Sequence, residues 1–100
     1  MNKVWNASRV RLLLMNNDRA VERGILAIYD GQTLDEKQSD ATRHHNNIGF
    51  NAPDARRGSY YARWIRSGRR LTGKHLDKAR MIMMKYAGQL VRIIDAKATQ

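Results

Sequence analysis

One hundred residues leave room for a single domain with one modest core, and a 42% hydrophobic share is ordinary for a globular chain. Nineteen Lys and Arg against nine Asp and Glu give a formal net charge of +10, a surface that repels itself and attracts polyanions. The absence of cysteine excludes disulfides, thiolate zinc sites and thiol catalysis, and one Pro with seven Gly argues against a turn-dense β-sandwich.

The apolar spacing is helical almost throughout. Residues 7–15 carry Val10, Leu13 and Leu14 on one face, with Asn6 or Ser8 as N-cap. Asn16 and Asn17 end that helix, and Asn17 caps a second over 18–30 whose inner face is Val21, Ile25 and Ile28. Gly31 suits the left-handed position that closes a helix. Thr33-Leu34-Asp35-Glu36 fits a capping box opening a polar helix over 33–43. His44 to Phe50 reads as a loop turned by Asn46, Asn47 and Gly49 and plugged into the core by Ile48 and Phe50. Pro53 and Asp54 suit the first turn of a helix over 53–67, because Pro presets φ and a carboxylate complements the dipole. Gly68 ends it.

A last helix is predicted over 73–96, capped by Thr72 and stapled by Leu71 and Leu76. Leu76, Ala79, Met83, Ala87, Leu90 and Ile94 form its stripe, widened by Ile82, Tyr86 and Ile93. Such a face suits a bundle core and would also serve to close a homodimer. Met81, Met83 and Met84 read as adaptable core filling. The expected fold is all-α: a single small bundle of four to five helices with a long C-terminal helix. The apolar runs Leu12–Met15 and Met81–Met84 fall far short of the ~20 residues of a membrane span. Lys3 is followed by no apolar signal stretch, so the expected location is the cytoplasm.

The charge is unevenly placed. Residues 1–50 hold seven basic and six acidic side chains, whereas residues 51–100 hold twelve and three. The first half reads as near-neutral scaffold and the second as the strongly basic working face of the same domain. Between Asp54 and Asp77 no acid occurs, while Arg56, Arg57, Arg63, Arg66, Arg69, Arg70 and Lys74 do. Arg guanidinium groups pair bidentately with phosphates. Arg56, Tyr60 and Arg63 share a helix face, and Tyr60 is the aromatic expected to stay exposed for stacking on a base. Tyr61, Trp64 and Ile65 are expected to face the core under the Arg stems. Lys78, Lys85 and Arg92, seven residues apart, would extend the basic track along the last helix.

Other chemistry is weaker. Gly68 to Lys74 matches G-x-x-x-x-G-K, but His75 stands where a P-loop needs Ser or Thr, and no strand precedes it. The amides opening the last helix, with Arg69, Arg70 and Lys74, make a plainer site for one phosphate. The connection from Ser67 to Thr72 is longer than a helix-turn-helix turn, which favours backbone contact over base reading. His44, His45 and His75 fit loop and cap roles rather than a metal site. Asp35, Glu36 and Asp40 fit capping and solvation rather than catalysis. No catalytic residue, metal or cofactor is expected.

Two stretches carry a resemblance: Ala27 to Glu36 running on through His45 to Asn51, and Leu71-Thr72-Gly73-Lys74-His75 with Ala79-Arg80 and Lys85-Tyr86-Ala87-Gly88-Gln89-Leu90. Together they resemble small bacteriophage-encoded proteins from DNA-metabolism regions, whose closing helix opens Leu-Ser/Thr-x-Lys-Gln and ends Lys-Tyr-Ala-Gly-Gln-Leu. Lys74 keeps the basic position and His75 replaces the Gln. The resemblance implies a phage origin, a host-cell cytoplasm and an association with nucleic acid, and no mechanism. The expected function is therefore non-enzymatic, phosphate-directed nucleic-acid binding, DNA rather than RNA, through an Arg/Lys patch in residues 56–92. The alternative is a phage effector that docks on an acidic surface of a host or phage protein, a defence complex included, with Arg and aromatic anchors.

Overall fold

A computed structural model describes residues 4–31 and 49–98. They form five α-helices, with no strand among the described residues, so the chain is a small all-α bundle. The helix predicted over 33–43 lies outside the described residues, as do the Thr33–Glu36 box, Asp35, Asp40, His44, His45, Asn46, Asn47 and Ile48.

Helix α1 spans Ala7–Asn16 and α2 spans Asp18–Asp30. Both begin as the capping logic requires. Asn6 Oδ1 accepts the Arg9 amide at 2.9 Å and Asn17 Oδ1 accepts the Ala20 amide at 3.0 Å, each satisfying a donor that has no partner within its helix. Gly31 departs from expectation. It stays right-handed (φ −77°) and its amide bonds the Ile28 carbonyl at 3.1 Å, so α2 closes by tightening rather than by reversing hand. Helix α2 touches all the other helices and buries Val21, Ile25 and Ile28 completely.

Helix α3 spans Ala52–Arg66 with Pro53 in its first turn. Phe50, buried just before it, meets Tyr86 edge-on at 5.6 Å and runs beneath Gly58. A Cβ at Gly58 would lie 2.6 Å from the Phe50 ring, so only glycine lets helix and ring approach this closely. Asp54, expected merely to complement the helix dipole, is buried. It takes Lys85 Nζ at 2.9 Å and the Tyr86 hydroxyl at 2.9 Å, while that hydroxyl accepts the Asn51 amide at 2.8 Å. Gly68 does take positive φ, +93°, and ends α3 as expected.

The predicted long last helix is two helices. Helix α4 spans Gly73–Met84 and α5 spans Ala87–Ala98. At the junction the amides of Lys85 and Tyr86 bond back three residues, to Ile82 at 3.0 Å and Met83 at 2.9 Å. A 3₁₀ turn advances each residue by about 120° rather than 100° and so rotates the following helix. Burial and hydrogen bonding of Tyr86 hold the turn, and Gly88 weakens helix continuation there. The core stripe survives the break, since Ala79, Ile82, Met83, Tyr86, Ala87 and Leu90 are buried. Thr72 has the extended backbone of an N-cap, but its side chain makes no capping bond.

Arg80 secures the far side of the bundle. Its Nε donates to the Leu14 carbonyl at 2.8 Å and its guanidinium pairs with Asp18, holding α4 across the joint between α1 and α2. No helix among the described residues is long and apolar enough to cross a membrane.

Two outcomes follow from this packing. Gly58→Ala is expected to lower stability by about 1–3 kcal/mol in urea denaturation, overpacking against Phe50 outweighing the gain in helix propensity. Burial pushes the Tyr86 phenol far above its ordinary 10.0, with the Asn51 amide opposing the rise and the Asp54 carboxylate adding to it. The folded chain therefore keeps this proton where the unfolded chain gives it up. The contribution is whole below pH 10.0 and is lost as pH climbs beyond it. The thermal midpoint should fall on that alkaline limb, and Tyr86→Phe should flatten the fall.

Candidate functional site

Helices α3 and α4 enclose a furrow. On α3, Pro53, Arg57, Tyr60, Tyr61 and Trp64 recur at helical spacing, with Arg56 beside them; on α4, His75, Lys78 and Ile82 do the same, with Met81 beside them and Lys85 following at the C-cap. Three depressions share walls along it. A small one is bounded by Trp64, Arg70, Leu71 and Thr72 with Tyr60, Tyr61 and His75. The middle one, about 420 Å³, has Pro53, Arg56, Arg57, Tyr60, Tyr61, His75 and Lys78 as its walls. The third, about 410 Å³, has Arg57, Lys78, Met81, Ile82 and Lys85. Among the described residues no carboxylate is one of the walls of the three.

The aromatic end is preorganised. Tyr61 is 2% exposed, and its hydroxyl lies 3.2 Å from His75 Nδ1. Burial raises the Tyr61 phenol above its ordinary value, against the lowering effect of Arg57, so the group stays a neutral donor or acceptor at physiological pH. Trp64, expected to face the core, is only half-buried. Its indole NH donates to the Arg70 carbonyl at 3.1 Å, and the Arg69 guanidinium sits 4.5 Å over its ring. Tyr60 stacks on Trp64 at 6.2 Å and 24° and remains 49% exposed, as its position on the helix face predicted.

The expected basic residues divide into two groups. Arg66 pairs with Asp30 at 2.7 Å, Arg70 with Glu22 at 2.9 Å, and Lys85 with Asp54 at 2.9 Å. The acid-free interval in the sequence suggested none of these pairings, because the carboxylates come from α2 and from the opening turn of α3. The single-phosphate site expected at the start of α4 is dismantled in the same way: Arg70 turns to Glu22 and Arg69 lies on Trp64, leaving Lys74 alone on the first turn. Arg56, Arg57, Lys74 and Lys78 are exposed, and no carboxylate among the described residues pairs with them. Arg63 is exposed but is not one of the walls of the three depressions. The line Lys78–Lys85–Arg92 is cut short after Lys78 and Lys85, which share the third depression. Lys85 turns to Asp54 at the helix break, and Arg92 sits on α5, away from the furrow, with no place among its walls.

Three residues missed by sequence reasoning shape this site. Glu22, 5% exposed, accepts Arg70 Nε at 2.9 and 3.1 Å and the Leu71 amide at 2.9 Å. It thereby ties the α3–α4 connector to α2. Its one signal in the sequence is a carboxylate next to Val21 on an otherwise apolar face. His75 was read as a cap and is instead a wall of the furrow. Met81, read as core, is 72% exposed at its basic end. Among the described residues no cluster of His, Asp or Glu is arranged to hold a metal.

Glu22→Ala should cost about 2–3 kcal/mol in urea denaturation, because it strands a buried amide and removes a charge-assisted pair. No protein-family model, curated protein or solved structure matches this chain.

Proposed function

We propose that the furrow between α3 and α4 binds nucleic acid through its phosphates, without sequence specificity and without catalysis by this chain. The observation that carries the reading is the gathering of Arg56, Arg57 and Lys78 around one concavity that has no acid among its described walls. Positive groups held by a rigid scaffold, without a carboxylate partner, suit a polyanion: binding replaces condensed counterions rather than an internal salt bridge. Lys74 and Arg69 extend the charge toward the connector, and Tyr60 offers an aromatic face beside it. We take the resemblance of Ala27–Glu36 with His45–Asn51, and of Leu71–His75 with Ala79-Arg80 and Lys85–Leu90, to phage proteins from DNA-metabolism regions as a second support, and propose DNA in a host cell as the ligand.

Fluorescence anisotropy of a labelled oligonucleotide across salt tests this. Four phosphate contacts, by Arg56, Arg57, Lys74 and Lys78, should give log K against log salt a slope of about −3. The double variant Arg57→Gln with Lys78→Gln should make that slope shallower by about two, whereas Arg92→Gln should leave it unchanged. A flat response would overturn the reading. Equal binding to poly-glutamate would favour an acidic protein surface as the partner.

A further inference from the structure

We infer that the ligand of the furrow is single-stranded, with one base stacked on Tyr60. The inference rests on the nucleic-acid reading above and narrows it. Its basis is the ordered run of flat groups at one end of the furrow. Trp64 is fixed by its hydrogen bond to the Arg70 carbonyl and overlaid by the Arg69 guanidinium at 4.5 Å, and Tyr60 stacks on the same indole at 6.2 Å with ring planes 24° apart. The Tyr60 ring is thus oriented before any ligand arrives, yet it is half exposed. An oriented aromatic costs little further entropy on stacking.

The pairing of this platform with the cations decides between duplex and single strand. In a duplex every internal base already has both faces covered, so an exposed ring has nothing to receive. A single strand offers free base faces, and aromatic stacking beside a cationic track is how such strands are held without sequence preference. Tyr60 lines the same concavity as Arg56, Arg57 and Lys78. One nucleotide could therefore place its base on the ring and its phosphate against the cations. The site is also a depression between two helices rather than a projecting helix, and a duplex groove is entered by a projecting element.

The test compares oligo(dT), oligo(U) and a DNA hairpin duplex of equal length, by anisotropy and by indole emission in a Trp5→Phe background, where Trp64 is the remaining indole. Single strands should bind more tightly than the hairpin and quench Trp64. Tyr60→Leu should weaken single-strand binding about tenfold, while Tyr60→Phe, which keeps the ring, should not. The ratio of oligo(dT) to oligo(U) affinity identifies DNA or RNA as the natural strand. Hairpin binding equal to or tighter than the single strands, or an unchanged affinity in Tyr60→Leu, would overturn the single-strand inference and leave phosphate binding standing. Failure of all three ligands to bind at low salt would overturn both.

Discussion

The Glu22 carboxylate, shut away from solvent on the central helix, has to find donors, and it finds them in the connector between α3 and α4. A buried charge without partners would be costly, so the carboxylate dictates where Arg70 and Leu71 lie. Leu71 is buried as a result, and the Arg70 carbonyl is presented to the Trp64 indole. The relative placement of α3 and α4, and hence the furrow, follows from a hydrogen-bonding demand made by α2. A second demand, from Asp54, acts at the other end, where Lys85 and Tyr86 meet the opening turn of α3.

The excess of positive charge is divided by these demands. Arg66, Arg70, Arg80 and Lys85 act as struts between elements, each holding a carboxylate. Arg56, Arg57, Lys74 and Lys78 face outward without one among the described residues. A net charge counts both kinds alike, yet only the second can meet a polyanion without breaking an internal pair. For this reason the basic surface available to a polyanion is narrower than the composition suggests.

The helices of the bundle were largely legible because their signals are local. Asn6, Asn17, Pro53 and Gly68 act through the residues next to them, and the apolar spacing of α2 needs no partner to be read. The division of the last helix was not legible. A two-residue 3₁₀ turn keeps the apolar stripe in rough phase, and what holds it, the bonding of Tyr86 to Asn51 and Asp54, joins positions more than thirty residues apart. In the site, the exposure of Tyr60 and the burial of Tyr61 could be read from helix-face geometry. The loss of Arg66, Arg70 and Lys85 to internal pairs could not, since their partners are distant in sequence. His75 was visible only as a residue near a helix start, because its position opposite Tyr61 depends on how two helices pack.

Arg80 carries one more consequence. The Leu14 carbonyl lies in the final turn of α1, where no amide of the same helix is available to it, and the donor it receives comes from 66 residues away. The end of α1 is thus completed only when α4 is docked. Fraying at that corner and undocking of α4 become one event, so the first and fourth helices should share a single opening free energy rather than exchange their amide hydrogens independently.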